Sequence, residues 1–181
     1  MLLKETNMKF LENDKIILRA VEPEDLELLY RWENDSSIWI AGNTRAPYSR
    51  YQLKNYISHS PTDIYESKQI RLMIVSKIEN KTVGTVDLFD FDIHNSRIAL
   101  GLYVAEEYSG RGMATESLKT VEEYVFNFLK INQLYVQIIE SNLVSRKLFE
   151  NDYELHGKLK NWIKTPANYE DVLTYQKFRK K

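Results

Sequence analysis

Between Ile70 and Val104 the chain offers three β-rich runs in succession, with no room for a helix between them. Ile70 to Lys77 and Thr82 to Phe91 flank Glu79-Asn80-Lys81, which reads as a hairpin turn, and Asn95-Ser96 turns the chain again before Arg97 to Val104. Strands joined this closely form an antiparallel meander. After Val104 the pattern changes to a glycine turn and then a helical period. From Ala114 the apolar residues Leu118, Val121, Val125 and Phe128 recur at alternating four- and three-residue steps, which predicts a helix with one buried face. A meander that hands over to a strand, turn and helix restricts the chain to an α/β sheet flanked by helices.

The flanking segments fit that frame. Ile16-Ile17-Leu18-Arg19-Ala20-Val21 is a short β-prone run, and Glu22-Pro23-Glu24-Asp25 gives a helix start with proline first and acids in the first turn. Leu26, Leu29, Tyr30 and Glu33 continue at helical spacing, broadened by Leu28 and Trp32, until Asn34-Asp35-Ser36-Ser37 breaks the pattern. A second helix is expected from Ser49 to about Ser58, with Leu53, Tyr56 and Ile57 inward, before Pro61-Thr62-Asp63. Beyond the long helix come a strand, Leu134 to Ile139, a short helix, Leu143 to Glu150, and a closing hairpin, Glu154 to Ile163 with Val172 to Phe178. With 181 residues and no internal repeat or linker, one domain over 15–178 with an N-terminal extension over 1–14 is expected.

Composition removes several function classes. A formal charge of -1 and scattered Lys and Arg give no nucleic-acid footprint, apart from the terminal Arg179-Lys180-Lys181. No apolar stretch approaches the roughly 20 residues needed to cross a bilayer, so no membrane is expected. His59, His94 and His156 lie far apart without ligand spacing, so no metal is expected. The lack of cysteine removes disulfides and a thiolate nucleophile, and with the absence of a signal-like start it favours a cytoplasmic protein.

Chemistry concentrates in Leu102-Tyr103-Val104-Ala105-Glu106-Glu107-Tyr108-Ser109-Gly110-Arg111-Gly112-Met113-Ala114-Thr115, a strand, a tight glycine turn and a helix start. Such a turn points backbone N–H groups at one spot where the helix dipole adds positive charge, so an anion such as a pyrophosphate is stabilised. Gly110 and Gly112 permit positive φ and keep Cβ atoms out of the way. The P-loop is excluded because Met113-Ala114 follows Gly112, and the dinucleotide fingerprint because Thr115 stands where its third glycine belongs.

Ser109-Gly110-Arg111-Gly112-Met113-Ala114 resembles the pyrophosphate loop of the GNAT acetyltransferases, with Ser109 in place of the usual Gln or Arg. Asn142-Leu143-Val144-Ser145-Arg146-Lys147-Leu148-Phe149-Glu150 looks like the family's Asn-x-x-Ala/Ser helix, and Tyr153-Glu154-Leu155-His156-Gly157 like its following strand. Leu18-Arg19 through Arg31-Trp32-Glu33-Asn34-Asp35 resembles the opening of the branch that contains the spermidine and ribosomal-protein N-terminal acetyltransferases. The resemblance implies the GNAT fold, a single α/β domain with a central mixed, mostly antiparallel twisted sheet flanked by helices. Its order, strand, two helices, three strands, helix, strand, helix, two strands, matches the order that the hydrophobic pattern gives by itself.

The resemblance also implies acetyl transfer from acetyl-coenzyme A, acting as donor substrate, directly to a primary amine. Backbone from Leu102 through Tyr103 to Val104 would contact the pantetheine arm, Ser109, Gly110, Arg111, Gly112, Met113, Ala114 and Thr115 would hold the pyrophosphate, and Asn142 would face the cofactor. The branch's catalytic Glu on its fourth strand falls at Ala99, and its general-acid Tyr at Phe149. Asp87 on the neighbouring run is therefore the first substitute base, followed by Glu33 and Glu140, and Ser145 is the group that would serve the departing sulfur. Asn151-Asp152-Tyr153 runs one residue shorter than the family's turn.

The expected partners are an amine-bearing acceptor, a small molecule or a protein amino terminus, and a second copy in a homodimer. Ile40-Ala41-Gly42-Asn43-Thr44-Arg45 lacks the acids that hold polycations in the spermidine-type enzymes. Two other classes stand beside the enzyme: a non-catalytic coenzyme A binding module, motivated by Ala99 and Phe149, and an interaction protein with an aromatic surface at Ile38-Trp39-Ile40 and Tyr48 to Tyr56.

Overall fold

The hairpin turns expected between the runs join strands in a computed structural model that describes residues 10–42, 44–59 and 63–180. Asn43 and Pro61-Thr62, which belong to segments interpreted from the sequence, and the first nine residues of the expected extension lie outside the described residues. The elements are β1 (Ile16–Ala20), α1 (Leu26–Glu33), α2 (Arg50–Ser58), α3 (Ile64–Ser67), β2 (Ile70–Ser76), β3 (Lys81–Asp92), β4 (Arg97–Val104), α4 (Met113–Glu123), β5 (Gln133–Ile139), α5 (Leu143–Phe149), β6 (Glu154–Lys164) and β7 (Tyr169–Phe178). The seven strands form one sheet in the order β1-β2-β3-β4-β5-β7-β6. Only β4 and β5 run parallel, and every other neighbouring pair is antiparallel.

Local chemistry places the helices. Asp25, 4% exposed, accepts the Glu22 N–H at 2.9 Å and two Arg19 N–H groups at 2.6 and 2.8 Å, tying the entry of α1 to β1. Ser49 and Gln52 form a reciprocal cap on α2, with the Gln52 N–H donating to Ser49 Oγ at 3.1 Å and the Ser49 N–H to Gln52 Oε1 at 2.8 Å. The short α3 carries no periodic signal; Asp63 starts it by accepting the Tyr65 N–H at 2.7 Å.

Strand alternation divides the core between the two faces of the sheet. Leu72 and Ile74 of β2, Val86 and Leu88 of β3, and Ile98 and Leu100 of β4 pack with Leu118 and Val121 of α4. Met73 and Tyr103 point the other way and pack with Leu29 and Trp32 of α1 and Leu53 of α2. Tyr56 and Ile57 are half-buried on that second face.

The long helix departs from its expected stripe. Val121 and Val125 are buried, but Phe128 is 57% exposed. A π-helical turn, Tyr124–Phe128, closes with the Leu129 N–H donating to Tyr124 O at 2.9 Å, five residues back. One extra residue in a turn rotates the positions beyond it by about 100°. Phe126 and Leu129 therefore take the inward positions, and the Phe128 ring lies against Tyr124 and Phe10, with centroids 5.5 Å from each.

Residues just ahead of 15 bond into the domain. The Leu18 N–H donates to Leu11 O at 2.7 Å, and Asn13 Nδ2 donates to Thr120 Oγ1 at 2.9 Å.

Candidate active site

The parallel pair is short. β4 and β5 meet only through Arg97 with Gln133, Ile98 with Leu134 and Ala99 with Tyr135. Beyond Ala99 each strand keeps its outer partner: β4 pairs β3 as far as Val104 opposite Gly84, and β5 pairs β7 as far as Ile139 opposite Val172. The sheet forks at its centre. Backbone N–H and C=O groups along the inner edge of Leu100 to Val104 are left without a strand to bond, and such an edge accepts an extended chain that carries amides. Burial changes at the same point: Ile98, Ala99 and Leu100 are buried, whereas Gly101, Leu102, Tyr103 and Val104 are half-buried.

The glycine turn sits just past the end of β4. Gly110 and Gly112 have φ of 73° and 79°, and a Cβ at either would meet no atom within 4 Å. Conformation rather than crowding asks for glycine there, and the space above the turn is open. Gly112 is the N-cap of α4, and the first intrahelical bond is from the Glu116 N–H to Gly112 O at 3.0 Å. The N–H groups of Met113, Ala114 and Thr115 thus have no intrahelical acceptor, which is the arrangement that holds a phosphate. The Ser109 N–H is used within the turn, donating to Glu106 O at 2.9 Å. The Arg111 side chain turns away to Glu79 Oε1 at 2.6 Å and lies over the Tyr108 ring.

Across the fork, Asn142 caps α5 by accepting the Ser145 N–H at 3.1 Å. Ser145, on the first turn of this helix, is half-buried. Phe149 is 4% exposed and meets the Tyr153 ring edge to face at 5.1 Å, so it belongs to the core. Burial and the Glu122 carboxylate push the Tyr153 phenol up, so this neighbouring hydroxyl is no substitute acid.

Asp87 and Glu33 are brought together by a residue the sequence reading passed over. Arg71 on β2 lies opposite Asp87 in the register and donates from Nε to Asp87 Oδ1 at 2.6 Å and from Nη2 to Oδ2 at 3.2 Å. Its Nη1 donates to Glu33 Oε1. Burial lowers the guanidinium's proton affinity, but Asp87 and Glu33 outweigh it and hold Arg71 above its ordinary value. Burial likewise pushes the Tyr56 phenol up. Glu140, the third candidate, stands elsewhere: both its oxygens accept from Lys158 Nζ, at 2.9 and 2.7 Å, and it lines a separate cavity of about 360 Å³ with Tyr169 and Asp171. Ala99 is 2% exposed between Phe89 and Tyr135.

The sequence marks Arg71 only as a charge amid the apolar run Ile70-Arg71-Leu72. The turn pairs Ser76 with Lys81 and Val75 with Thr82, a register that would set Arg71 opposite Val86, and the bulge between Ile74 and Val75 moves it to Asp87. Among the described residues no group of three or more His, Cys, Asp or Glu is placed to hold a metal ion. No helix there is long and apolar enough to cross a membrane.

A mixed sheet forked beside a glycine cradle offers free backbone amide groups in line with an anion-holding helix start. Residues 15–151 match the family model described as the acetyltransferase (GNAT) domain, and the chain belongs to that family. It is 23% identical over 169 residues to the uncharacterized N-acetyltransferase p20 of Bacillus licheniformis, covering 93% of this chain and 95% of that protein. It is 25% identical over 162 residues to the spermidine N(1)-acetyltransferase of Escherichia coli K12, covering 86% of this chain and 82% of that one. The structure of Vibrio cholerae spermidine N-acetyltransferase in complex with CoA and spermine aligns with a TM-score of 0.82 at 22% identity, over 92% of this chain and 97% of that one. The chain is an acetyl-coenzyme A dependent N-acetyltransferase.

Proposed function

We propose that the fork between β4 and β5 seats the pantetheine arm, that the turn at residues 109–115 holds the pyrophosphate, and that the amine acceptor meets the thioester from the α1 and α2 face. The fork carries this reading, because it leaves backbone donors and acceptors free along Leu102 to Val104 in line with the open glycine cradle. Asn142 fixes the start of α5 against the far side of the fork. Acetyl-coenzyme A supplies an acetyl group as a thioester, whose C–S bond breaks as the new C–N bond forms.

The protein's share is orientation and proton handling. An ammonium with a pKa of about 10.4 is neutral in only about one part in a thousand near pH 7.4, which places roughly 4 kcal/mol on deprotonation. Asp87 is the carboxylate that takes this proton, directly or through water. Arg71 fixes its two oxygens in one orientation and leaves lone pairs on each for a further bond. The Ser145 hydroxyl donates to the departing sulfur. A thiol whose pKa is near 8.5 leaves as thiolate with little help, so the replacement of the family's acid by Phe149 is tolerable. The acceptor is a small-molecule amine or a protein amino terminus.

Calorimetry with coenzyme A and a free-thiol assay over an amine panel test the reading. Gly112→Ala, which places a methyl group in the cradle at positive φ, should weaken coenzyme A binding at least tenfold in a folded protein. Asp87→Asn should lower kcat at least tenfold with coenzyme A affinity kept. Unchanged affinity in the first variant removes the pyrophosphate assignment, and unchanged kcat with an unshifted pH profile in the second removes Asp87 as base. Binding without thiol release on any amine would leave a coenzyme A binding module in place of the enzyme.

A further inference from the structure

Two glycines inside the meander allow a controlled comparison. At Gly84 a Cβ would stand 2.1 Å from Tyr103 O, so the close approach of β3 to β4 demands glycine. At Gly101 the nearest atoms to a Cβ are Asp87 Cβ and a Phe89 ring carbon, each at 3.6 Å, an ordinary contact, and its φ lies outside the left-handed region. Alanine therefore fits at Gly101, and a side chain there would strengthen the strand. The fold does not require this glycine. A strand glycine that the surrounding packing does not require often marks a site that a ligand or another backbone approaches closely.

That place is specific. Gly101 lies opposite Asp87 and is the second β4 residue beyond the last pair with β5, where the fork opens. Next to Asp87 a cavity of about 400 Å³ runs under α2, lined by Val21, Tyr56, Ile57, Ile70, Arg71 and Phe89 among others. Its walls are mostly apolar or aromatic, with Gln69 and one charged cluster as the polar groups. In that cluster two carboxylates, Glu33 and Asp87, share one guanidinium, which leaves one net negative charge. The charged and phenolic groups that act on Arg71 are Asp87, Glu33 and Tyr56.

We propose that the acceptor is a monoamine with an apolar body, lying in the cavity against Tyr56, Ile57 and Phe89 with its single ammonium over Gly101 beside Asp87. The proposal rests on the amine-acceptor reading above and narrows it. One net negative charge matches one ammonium. A second ammonium further along the same ligand would lie against Arg71, so Arg71 is the residue that disfavours polyamines. Gly101 is a specificity determinant of the same site, because a methyl group there occupies the position of the amine.

The test is acetyl transfer at saturating acetyl-coenzyme A to 2-phenylethylamine, hexylamine and spermidine, with coenzyme A affinity and Tm measured on each variant. The parent protein should show a kcat/KM at least tenfold higher for the monoamines than for spermidine. Gly101→Ala should lose at least tenfold in kcat/KM for the monoamines with Tm and coenzyme A affinity undiminished. Arg71→Gln should shift the ratio of spermidine to monoamine kcat/KM at least tenfold toward spermidine, a ratio that a reduced folded fraction does not alter. Spermidine equal to or better than the monoamines in the parent, full transfer by Gly101→Ala, or an unshifted ratio in Arg71→Gln overturns this proposal alone. Coenzyme A binding without transfer to any of the three amines overturns this proposal, and the amine-acceptor reading falls with it only when amino-terminal peptides and the wider amine panel are not acetylated either.

Discussion

At Phe149 a phenyl ring stands where the family resemblance implied a phenol, and the phenol that packs against it is Tyr153. The ring at Phe149 reaches the core without a hydroxyl, while the Tyr153 hydroxyl is buried and, with Glu122 Oε1, lacks a hydrogen-bond partner. Lys177 compensates Glu122 on its other oxygen, donating to Oε2 at 2.7 Å, and sits over the Tyr153 ring. Burial first, and the Glu122 carboxylate second, raise the phenol above its ordinary value. Below about pH 10 the phenol is neutral both folded and unfolded and contributes no pH dependence, whereas above it only the unfolded chain ionises and stability falls. Tyr153→Phe should melt no lower than the parent at pH 8 and should lose less stability above about pH 10; identical alkaline profiles would contradict this.

At the scale of elements, the meander was legible because its turns are local, and so was the glycine cradle, because a strand, two glycines and a helix start lie within fourteen consecutive residues, Leu102 to Thr115. What stayed out of reach depends on contacts between elements. Arg71 joins Glu33, 38 positions away, to Asp87, and no periodicity reports a bond of that span. Phe128 was misplaced because a helical period assumes constant pitch, and the π-helical turn at Tyr124–Phe128 breaks it. β7 enters between β5 and β6, a choice the closing hairpin alone does not dictate. Gly84 belongs to this scale too, since its missing side chain sets how near β3 comes to β4. The Cβ of Gly84→Ala would press on Tyr103 backbone, which cannot swing aside as a flexible side chain does. The expected loss is about 1–3 kcal/mol in denaturant unfolding, with the bulge at Ile74 and Val75 opposite it as the first region to lose amide protection. A variant as stable as the parent would show that the two strands can separate freely.

For the whole molecule, the fork makes ligand binding and stability one measurement. β1 to β4 and β5 to β7 are two groups of strands joined in the sheet by three residue pairs. A ligand whose amides bond the inner edge of β4 should raise stability by about 2.7 kcal/mol at a hundredfold excess over its Kd. Hydrogen exchange should slow most at Leu102 to Val104 and at the start of α4, and protection confined to other segments would place the ligand elsewhere.

The same geometry sets a limit on how this fold can be improved. The seam that opens to admit the donor is also where the unliganded sheet has the fewest bonds, so its catalytic competence and its structural weak point share one cause. Selection or engineering for heat resistance would find an easy gain in residues that let β4 and β5 zip together past Ala99. Each further rung would close the slot by one residue, and the most rigid version of this molecule would be a sheet without a vocation.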